Sequence, residues 1–205
     1  MSIRVKICGL ARHNDVVATA ALEPDFLGFI FYPPSKRAVS AVDVAAWTVQ
    51  IPAHIQKVGV FVNATAEEIN ETCEVAGLDI AQLHGQEHPE LIAQLSVPSW
   101  KVVHVDKMTA AEAQAFSVET LLIDSYTEAL PGGTGTTVDW SAAANFVRNA
   151  QQNVLLAGGL TPDNVARAVE TVSPWGVDVS SGVERAPGEK DMKQVKQFIH
   201  ASRNV

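Results

Sequence analysis

The stretch that decides the fold runs from Asn153 to Glu184 and reads NVLLAGGLTPDNVARAVETVSPWGVDVSSGVE. It consists of a short apolar run, a glycine-rich loop, a helical segment and a second short apolar run. This alternation is typical of parallel strands that are joined by covering helices. The stretch therefore predicts one complete βα unit followed by the strand of the next unit.

The same alternation extends along the whole chain and yields eight strands. The predicted strands are IRVKIC from Ile3, FLGFIF from Phe26, KVGVFV from Lys57, DIAQLH from Asp79, KVVHV from Lys101, TLLID from Thr120, NVLLAG from Asn153 and GVDVS from Gly176. The helices are predicted near 15–22, 41–49, 66–76, 89–95, 110–116, 141–150, 162–172 and 192–201. Eight units predict an α/β fold of the closed (β/α)8 TIM-barrel type. The alternative is a doubly wound open sheet, which the same alternation permits but which has fewer units.

The sequence shows none of the patterns that indicate several domains, secretion or a membrane span. No Ser/Gly linker, charge block or low-complexity tract interrupts the 205 residues, so we expect one domain over 1–205. The start, MSIRVKICGL, has no signal-peptide pattern, and no apolar run is long enough to span a membrane. The two cysteines, Cys8 and Cys73, indicate neither a disulfide framework nor a zinc site, and the expected location is cytoplasmic.

Charge limits the classes of partner. Fifteen Lys and Arg residues stand against 23 Asp and Glu residues, so the net charge is −8. This balance argues against a broad nucleic-acid or anionic-membrane surface. Any anionic ligand must be met by a local positive patch.

In a barrel of this type the active site lies at the carboxyl ends of the strands, and chemically active residues collect at those positions here. The loops after the seventh and eighth predicted strands hold glycines and serines, which let backbone N–H groups approach a phosphate. We assign the phosphate to five residues. They are Gly158, Gly159, Ser180, Ser181 and Gly182. The alternative is that these glycines only make tight turns between strand and helix.

Cys8 ends the first predicted strand and shares its side-chain parity with Lys6. A nearby ammonium lowers the pKa of a thiol, so we expect Cys8 to be a competent thiolate base. The alternative is a small buried apolar residue, which is the only interpretation for Cys73.

The side chain of Asp178 is expected on the same face of the last strand as that of Ser180, and the first and last strands of a barrel are neighbours. An internal ion pair between Lys6 and Asp178 is therefore expected, with a structural or a substrate-holding role.

Asp124 follows the apolar run LLI at the end of the sixth strand. A carboxylate there is costly unless it meets solvent, a partner or a substrate, and partial burial would raise its pKa and let it act as an acid. The alternative is a helix or loop cap that serves the turn after this strand.

Arg37 lies in the proline-containing loop YPPSKRAVS and suits bidentate recognition of a carboxylate, the alternative being a solvated surface arginine. His84 and His104 end adjacent strands without other residues at metal-ligand spacing, so we interpret them as pocket lining and expect no metal.

At this point the motifs become specific. VKICGL, GFIFYPPSKRAVS, GVFVN and AQLHG on the first four strands resemble successive motifs of the phosphoribosylanthranilate isomerase family. LLIDS, GGTGTTVDW, LLAGGLTPDNV and VDVSSGVE are similar to the same family in order and spacing, so the resemblance spans nearly the whole chain. The segment from Ser125 to Pro131 matches less clearly than its flanks.

The resemblance implies an intramolecular oxidoreductase of tryptophan biosynthesis that converts N-(5-phosphoribosyl)anthranilate to 1-(2-carboxyphenylamino)-1-deoxyribulose 5-phosphate by an Amadori rearrangement. It implies Cys8 as general base, Asp124 as general acid and Arg37 as the clamp for the anthranilate carboxylate. Gly133 and Asp178 join the phosphate residues in the predicted substrate site. No cofactor is implied, the partner is a small-molecule substrate, and we expect a monomer.

Other functions fit parts of the pattern. The phosphate loops alone would also suit a sugar-phosphate epimerase or an aldolase, for which Lys6 is the candidate Schiff-base lysine. The related histidine-pathway isomerase uses two aspartates, whereas Cys8 stands where the first of them would be expected. A barrel that only binds a phosphorylated metabolite is the remaining alternative, because a fold alone never establishes activity.

Overall fold

Eight short parallel strands pair in chain order, and the last strand returns to the first, so the sheet closes. The structure, a computed structural model, describes residues 3–124 and 139–205. The barrel strands are β1 (Arg4–Ile7), β2 (Phe26–Ile30), β3 (Gln56–Phe61), β4 (Ile80–Leu83), β5 (Ser99–Val103), β6 (Thr120–Ile123), β7 (Asn153–Leu156) and β8 (Gly176–Val179). The predicted (β/α)8 barrel is confirmed, and the open-sheet alternative is wrong.

Closure comes from the pairing of β1 with β8, whose four residues align from Arg4 opposite Gly176 to Ile7 opposite Val179. Lys6 and Asp178 stand directly opposite each other in this register. At Gly176 a side chain would meet the carbonyl oxygen of Arg4 at 2.8 Å, so glycine permits the close approach of the two strands.

The helices pack outside the barrel. They are α1 (His13–Ala20), α2 (Ala41–Thr48), α3 (Ala66–Ala76), α4 (Ala110–Ala113), α5 (Trp140–Asn149), α6 (Val165–Val172) and α7 (Met192–Arg203), with 3-10 helices at Pro89–Gln94 and Ser181–Val183. A small antiparallel hairpin, β9 (Glu184–Ala186) and β10 (Glu189–Lys190), follows β8. None of the described helices has the length and apolarity that crossing a membrane would need.

Three predicted helices are shorter or of a different type. The segment predicted over 89–95 is a 3-10 helix, and none of its side chains is fully buried, although Leu91, Ile92 and Leu95 pack against the core. The helix predicted over 110–116 ends at Ala113. Helix α6 begins at Val165, three residues after Pro162, because the Asn164 side chain accepts a hydrogen bond from the Thr161 N–H and closes a turn there.

Side chains alternate between the inside of the barrel and the layer under the helices. The lower interior is filled by an apolar group that includes Phe26, Trp100, Leu122 and Leu155. Polar residues replace this group further along the same interior positions. They are Lys6, Gln82, Asp124 and Asp178, all buried. The barrel therefore has an apolar lower half and a polar upper half at the carboxyl ends of its strands.

A buried ion pair braces the loop after β4. The Nζ of Lys101 donates to Oε2 of Glu87 at 2.6 Å and to the carbonyl oxygen of Gly85 at 2.8 Å. Oε1 of Glu87 accepts hydrogen bonds from the backbone N–H groups of Asn63 and Gly85. Burial alone would raise the pKa of Glu87, but the Lys101 ammonium and the backbone N–H groups of Asn63 and Glu87 outweigh it, and the pKa is lowered.

We predict that Lys101→Met lowers the free energy of unfolding by about 3–5 kcal/mol, because it leaves the Glu87 carboxylate buried without its cation. Adding Glu87→Gln should recover part of the loss, since Gln can still accept from the backbone N–H groups. Urea unfolding monitored by circular dichroism measures both. Lys57→Met is the matched control, because Lys57 lies 3.7 Å from Asp79 at the surface. Equal effects of the Lys101 and Lys57 variants would contradict the brace.

Candidate active site

Cys8 lies just beyond the end of β1, in contact with the buried pair beneath it. The Nζ of Lys6 donates to Oδ1 of Asp178 at 3.1 Å, and the Lys6 side chain is completely buried. Lys6 also interacts with the Cys8 thiol. Gly28 on β2 leaves room for the thiol, since a side chain there would meet Sγ of Cys8 at 2.8 Å. The expected ion pair is confirmed, and it places a cation next to the candidate base.

The pKa of the Cys8 thiol differs from the expectation. Burial raises the pKa of the Cys8 thiol, and although the Lys6 ammonium opposes this, the net pKa lies above the ordinary thiol value. Asp178, close by, adds to the rise because its carboxylate repels a thiolate. The predicted effect of Lys6, which lowers the pKa of Cys8, is confirmed in direction. The expected net lowering is wrong, because desolvation outweighs the ammonium groups of Lys6 and Lys190.

Asp124 follows β6 and is buried beside two histidines. Its Oδ2 lies 3.4 Å from Nε2 of His84, and its backbone oxygen lies 3.0 Å from Nδ1 of His104. The predicted pocket lining by these histidines is thus a direct contact with the candidate acid. Burial raises the pKa of Asp178, and the Asp124 carboxylate adds to that rise. Asp124 is thereby coupled through Asp178 and Lys6 to Cys8.

The backbone of the loop after β7 is fixed by a side chain that sequence inspection did not single out. Gly158 and Gly159 have φ angles of +83° and +65°, a conformation that favours glycine. The Asn164 side chain accepts from the Thr161 N–H at 2.8 Å and donates to the Gly159 carbonyl oxygen at 3.0 Å. Two glycines and one amide therefore fix the backbone of this loop.

The loop after β8 lies against the same region. A side chain at Gly182 would run into the carbonyl oxygen of Leu160, so only glycine allows the two phosphate-candidate loops to approach each other. Ser181 and Gly182 belong to the short 3-10 helix. The buried Oγ of Ser180 lies 2.7 Å from the position that a side chain would take at Gly9, next to Cys8. The two loops with the predicted phosphate residues thus lie against each other, and Ser180 of the second loop lies beside Gly9, the neighbour of the candidate base.

Arg37 is not a solvated surface side chain. Its Nε donates to Oε1 and Oε2 of Glu184 at 2.9 and 3.1 Å, and its Nη2 donates to Oε2 at 2.7 Å. Its Cδ lies 2.7 Å from the side-chain position of Gly9. Glu184 also accepts from Nζ of Lys190 at 2.8 Å, and Lys190 donates to the Ser180 carbonyl oxygen at 3.1 Å.

Sequence inspection missed Glu184, Lys190 and Asn164. Glu184 stands at the end of the quoted VDVSSGVE motif and Asn164 within LLAGGLTPDNV, so the signal was position inside a recognised motif. Lys190 lies in a hairpin without such a signal. Gly133, predicted to bind substrate, lies outside the described residues.

The site has cations but no metal-binding group among the described residues. Arg37, Lys6 and Lys190 bring three cations to this end of the barrel, where they pair with two buried carboxylates, Asp178 and Glu184. No cluster of three His, Cys, Asp or Glu suited to a metal occurs within 3–124 and 139–205. Lys6, the Schiff-base candidate that the sequence indicated, is fully buried and paired with Asp178, which disfavours the aldolase alternative.

Comparison with known proteins gives one consistent result. A family model described as N-(5'phosphoribosyl)anthranilate (PRA) isomerase matches residues 5–201. The N-(5'-phosphoribosyl)anthranilate isomerase of Pelobacter propionicus is 40% identical over 204 residues, which cover 99% of this chain and 97% of the relative.

Two solved structures are similar over the same range. Monomers of the dimeric isomerase from Thermotoga maritima share 34% identity with a TM-score of 0.86, covering 99% of this chain and all of the other. An isomerase in complex with reduced 1-(o-carboxyphenylamino)-1-deoxyribulose 5-phosphate shares 33% identity with a TM-score of 0.84 over the same shares of the two chains. With the family model, a relative at 40% identity and the fold in agreement over almost the whole length, this chain belongs to the phosphoribosylanthranilate isomerase family.

Proposed function

We propose that the chain isomerises N-(5-phosphoribosyl)anthranilate in tryptophan biosynthesis by general acid–base catalysis, with Asp124 as acid and Cys8 as base. The observation that carries the assignment is the row of buried, electrostatically coupled groups from Asp124 through Asp178 and Lys6 to Cys8. An acid and a base in one buried site at the carboxyl ends of the strands can act on one bound sugar. Family membership supplies the substrate.

The rearrangement can be written with each proton accounted for. Protonated Asp124 donates to the furanose ring oxygen as the bond from that oxygen to C1 breaks, which leaves an iminium cation. The cationic nitrogen then draws electrons from the neighbouring C2–H bond, and the Cys8 thiolate removes that proton. The resulting enolamine becomes the aminoketone when C1 gains a proton and the C2 hydroxyl loses one. Transfer of a proton from Cys8 to Asp124 through solvent restores both groups. A buried thiol of raised pKa is ionised in a smaller fraction of molecules, but each thiolate is a stronger base.

We propose that the site binds both ends of the substrate, the phosphate and the anthranilate carboxylate. The loops that contain Gly158, Gly159, Ser180, Ser181 and Gly182 would hold the phosphate, supported by their close approach and by the nearby Lys190. Arg37 would bind the anthranilate carboxylate, and Gly133 remains part of the proposed substrate site. Oδ1 of Asp178 is occupied by Lys6, which leaves Oδ2 for a sugar hydroxyl. Anchoring both ends places the reacting carbons between acid and base.

The chain is further proposed to be a cytoplasmic protein without a cofactor, a metal, a nucleic-acid partner or a membrane partner. Two cysteines that form no disulfide suit a reducing compartment. The net charge of −8 disfavours nucleic acid.

The acid–base assignment predicts that Cys8→Ser and Asp124→Asn each lower kcat by about two orders of magnitude or more, with KM changed much less, since each residue acts on the reacting atoms. The measurement follows the loss of substrate fluorescence, corrected for spontaneous decay of the substrate. Cys73→Ser is the matched control, because Cys73 is a second buried thiol that lies on α3, away from the strand ends. Wild-type-like turnover by either site variant would remove that residue from the mechanism.

The charge state of Cys8 gives an independent prediction. In a Cys73→Ala background, a pH titration followed by the ultraviolet absorbance of the thiolate should give Cys8 a pKa above that of an ordinary thiol, because burial disfavours the charged form. Lys6→Met should move the midpoint further to alkaline pH, since it removes the ammonium that favours the thiolate. A variant that lacks both cysteines provides the baseline, and circular dichroism checks the fold. A midpoint on the acidic side of an ordinary thiol would contradict the dominance of burial.

We predict that the chain sediments as a monomer of 21.9 kDa at micromolar concentration. One relative, from Thermotoga maritima, is described as dimeric, so the question is open within the family. Analytical ultracentrifugation over a range of concentrations decides it, and a species of twice this mass at the lowest concentration would overturn the proposal.

A further inference from the structure

We infer that Glu184 is a positioning residue that orients Arg37 for the carboxylate of the substrate. The inference rests on the proposed role of Arg37. It adds a residue, Glu184, that acts on the substrate through Arg37 and not by binding the substrate's phosphate or carboxylate itself. Three observations support it: Glu184 binds one edge of the Arg37 guanidinium, Glu184 lies between two cations, and the Arg37 side chain packs over Gly9 beside Ser180.

A guanidinium can bind a carboxylate along either of two edges, and Glu184 takes one of them. All three hydrogen bonds from the Arg37 side chain use Nε and Nη2 and go to the Glu184 carboxylate. The other edge, formed by Nη1 and the second Nη2 hydrogen, makes no hydrogen bond to a described residue. A planar guanidinium fixed along its first edge therefore presents its second edge in one orientation, which suits a second carboxylate bound through two oxygens.

The charges of the cluster also fit an anion. Glu184 lies between two cations, Arg37 and Lys190, and all three side chains are largely buried, so the cluster has a net charge of +1. Arg37 lowers the pKa of Lys190, which adds to the larger effect of burial, so the two cations repel each other. Burial alone would raise the pKa of Glu184, but the two cations outweigh it and keep it ionised. Without the Glu184 charge, repulsion would drive Arg37 away from Lys190.

The cluster is also connected to the reacting centre. Lys190 donates to the carbonyl oxygen of Ser180, so the same carboxylate that fixes Arg37 is tied to the loop proposed to hold phosphate. The stem of Arg37 lies over Gly9, where a side chain would meet both Arg37 Cδ and Ser180 Oγ at 2.7 Å. Glu184 therefore sets the distance between the two proposed anchors of the substrate, with Cys8 beside them.

The test compares two inhibitors that differ only in the carboxylate. They are reduced 1-(2-carboxyphenylamino)-1-deoxyribulose 5-phosphate and its phenylamino counterpart without the carboxyl group. Calorimetry gives the ratio of their dissociation constants for the full chain and its variants. The expected wild-type ratio favours the carboxylated compound at least tenfold, and Arg37→Met should bring it close to one.

Glu184→Gln should weaken the carboxylated inhibitor about tenfold and the other less than twofold, and should raise KM more than it lowers kcat. Glu184→Asp keeps the charge and should fall between Gln and wild type. Glu189→Gln is the matched control, because Glu189 lies in the same hairpin and pairs with Arg12 at the surface. Its inhibitor ratio should equal that of wild type.

The outcomes separate the possible failures. Equal weakening of both inhibitors by Glu184→Gln would mean a general structural role and would overturn the inference, as would no change in either. An unchanged ratio in Arg37→Met would overturn the role of Arg37 itself, and the inference with it. Turnover of the substrate by wild type, measured in parallel, tests the proposed reaction separately from either result.

Discussion

The ion pair between Lys6 and Asp178 is the interaction on which the rest of the site depends. It joins the first and last strands where the barrel closes, and both of its partners are buried. A pair of this kind is costly to desolvate and strongly destabilising to break, so it fixes the register more than it adds stability. The same pair contacts Cys8 and is coupled to Asp124. The residue pair that closes the barrel therefore also sets the electrostatics of the proposed acid and base.

The architecture could be predicted from the sequence because each βα unit is encoded locally. Eight apolar runs, each followed by a helical segment, require only the periodicity of side chains and the number of units. Parity along β1 and β8 was sufficient to predict that Lys6 and Asp178 face each other, since neighbours in a closed barrel must pair. The shortness of α4 and the 3-10 helix at Pro89–Gln94 could not be predicted in this way, because the periodicity of apolar side chains fixes neither the last turn of a helix nor its hydrogen-bond pattern.

The site was predictable in its members more than in its energetics. Cys8, Asp124 and the residues of the last two loops could be located from strand ends and recognised motifs. The raised pKa of Cys8 could not, because it depends on a balance between burial and the charges of Lys6, Asp178 and Lys190 that spacing does not measure. Similarly, Arg37 could be named as a carboxylate ligand, but its partner Glu184 lies 147 positions away. Long-range pairing of this kind leaves no local pattern.

The closure of the barrel by β1 and β8 has a consequence for biosynthesis. Cys8 precedes Asp178, Glu184 and Lys190 in the sequence and is therefore synthesised before all three. During translation the polar upper half of the barrel lacks its counter-charges, and Lys6 has no carboxylate across the gap. The ordered site can form only after the eighth strand is released, so an interrupted chain carries the proposed base without the groups that surround it.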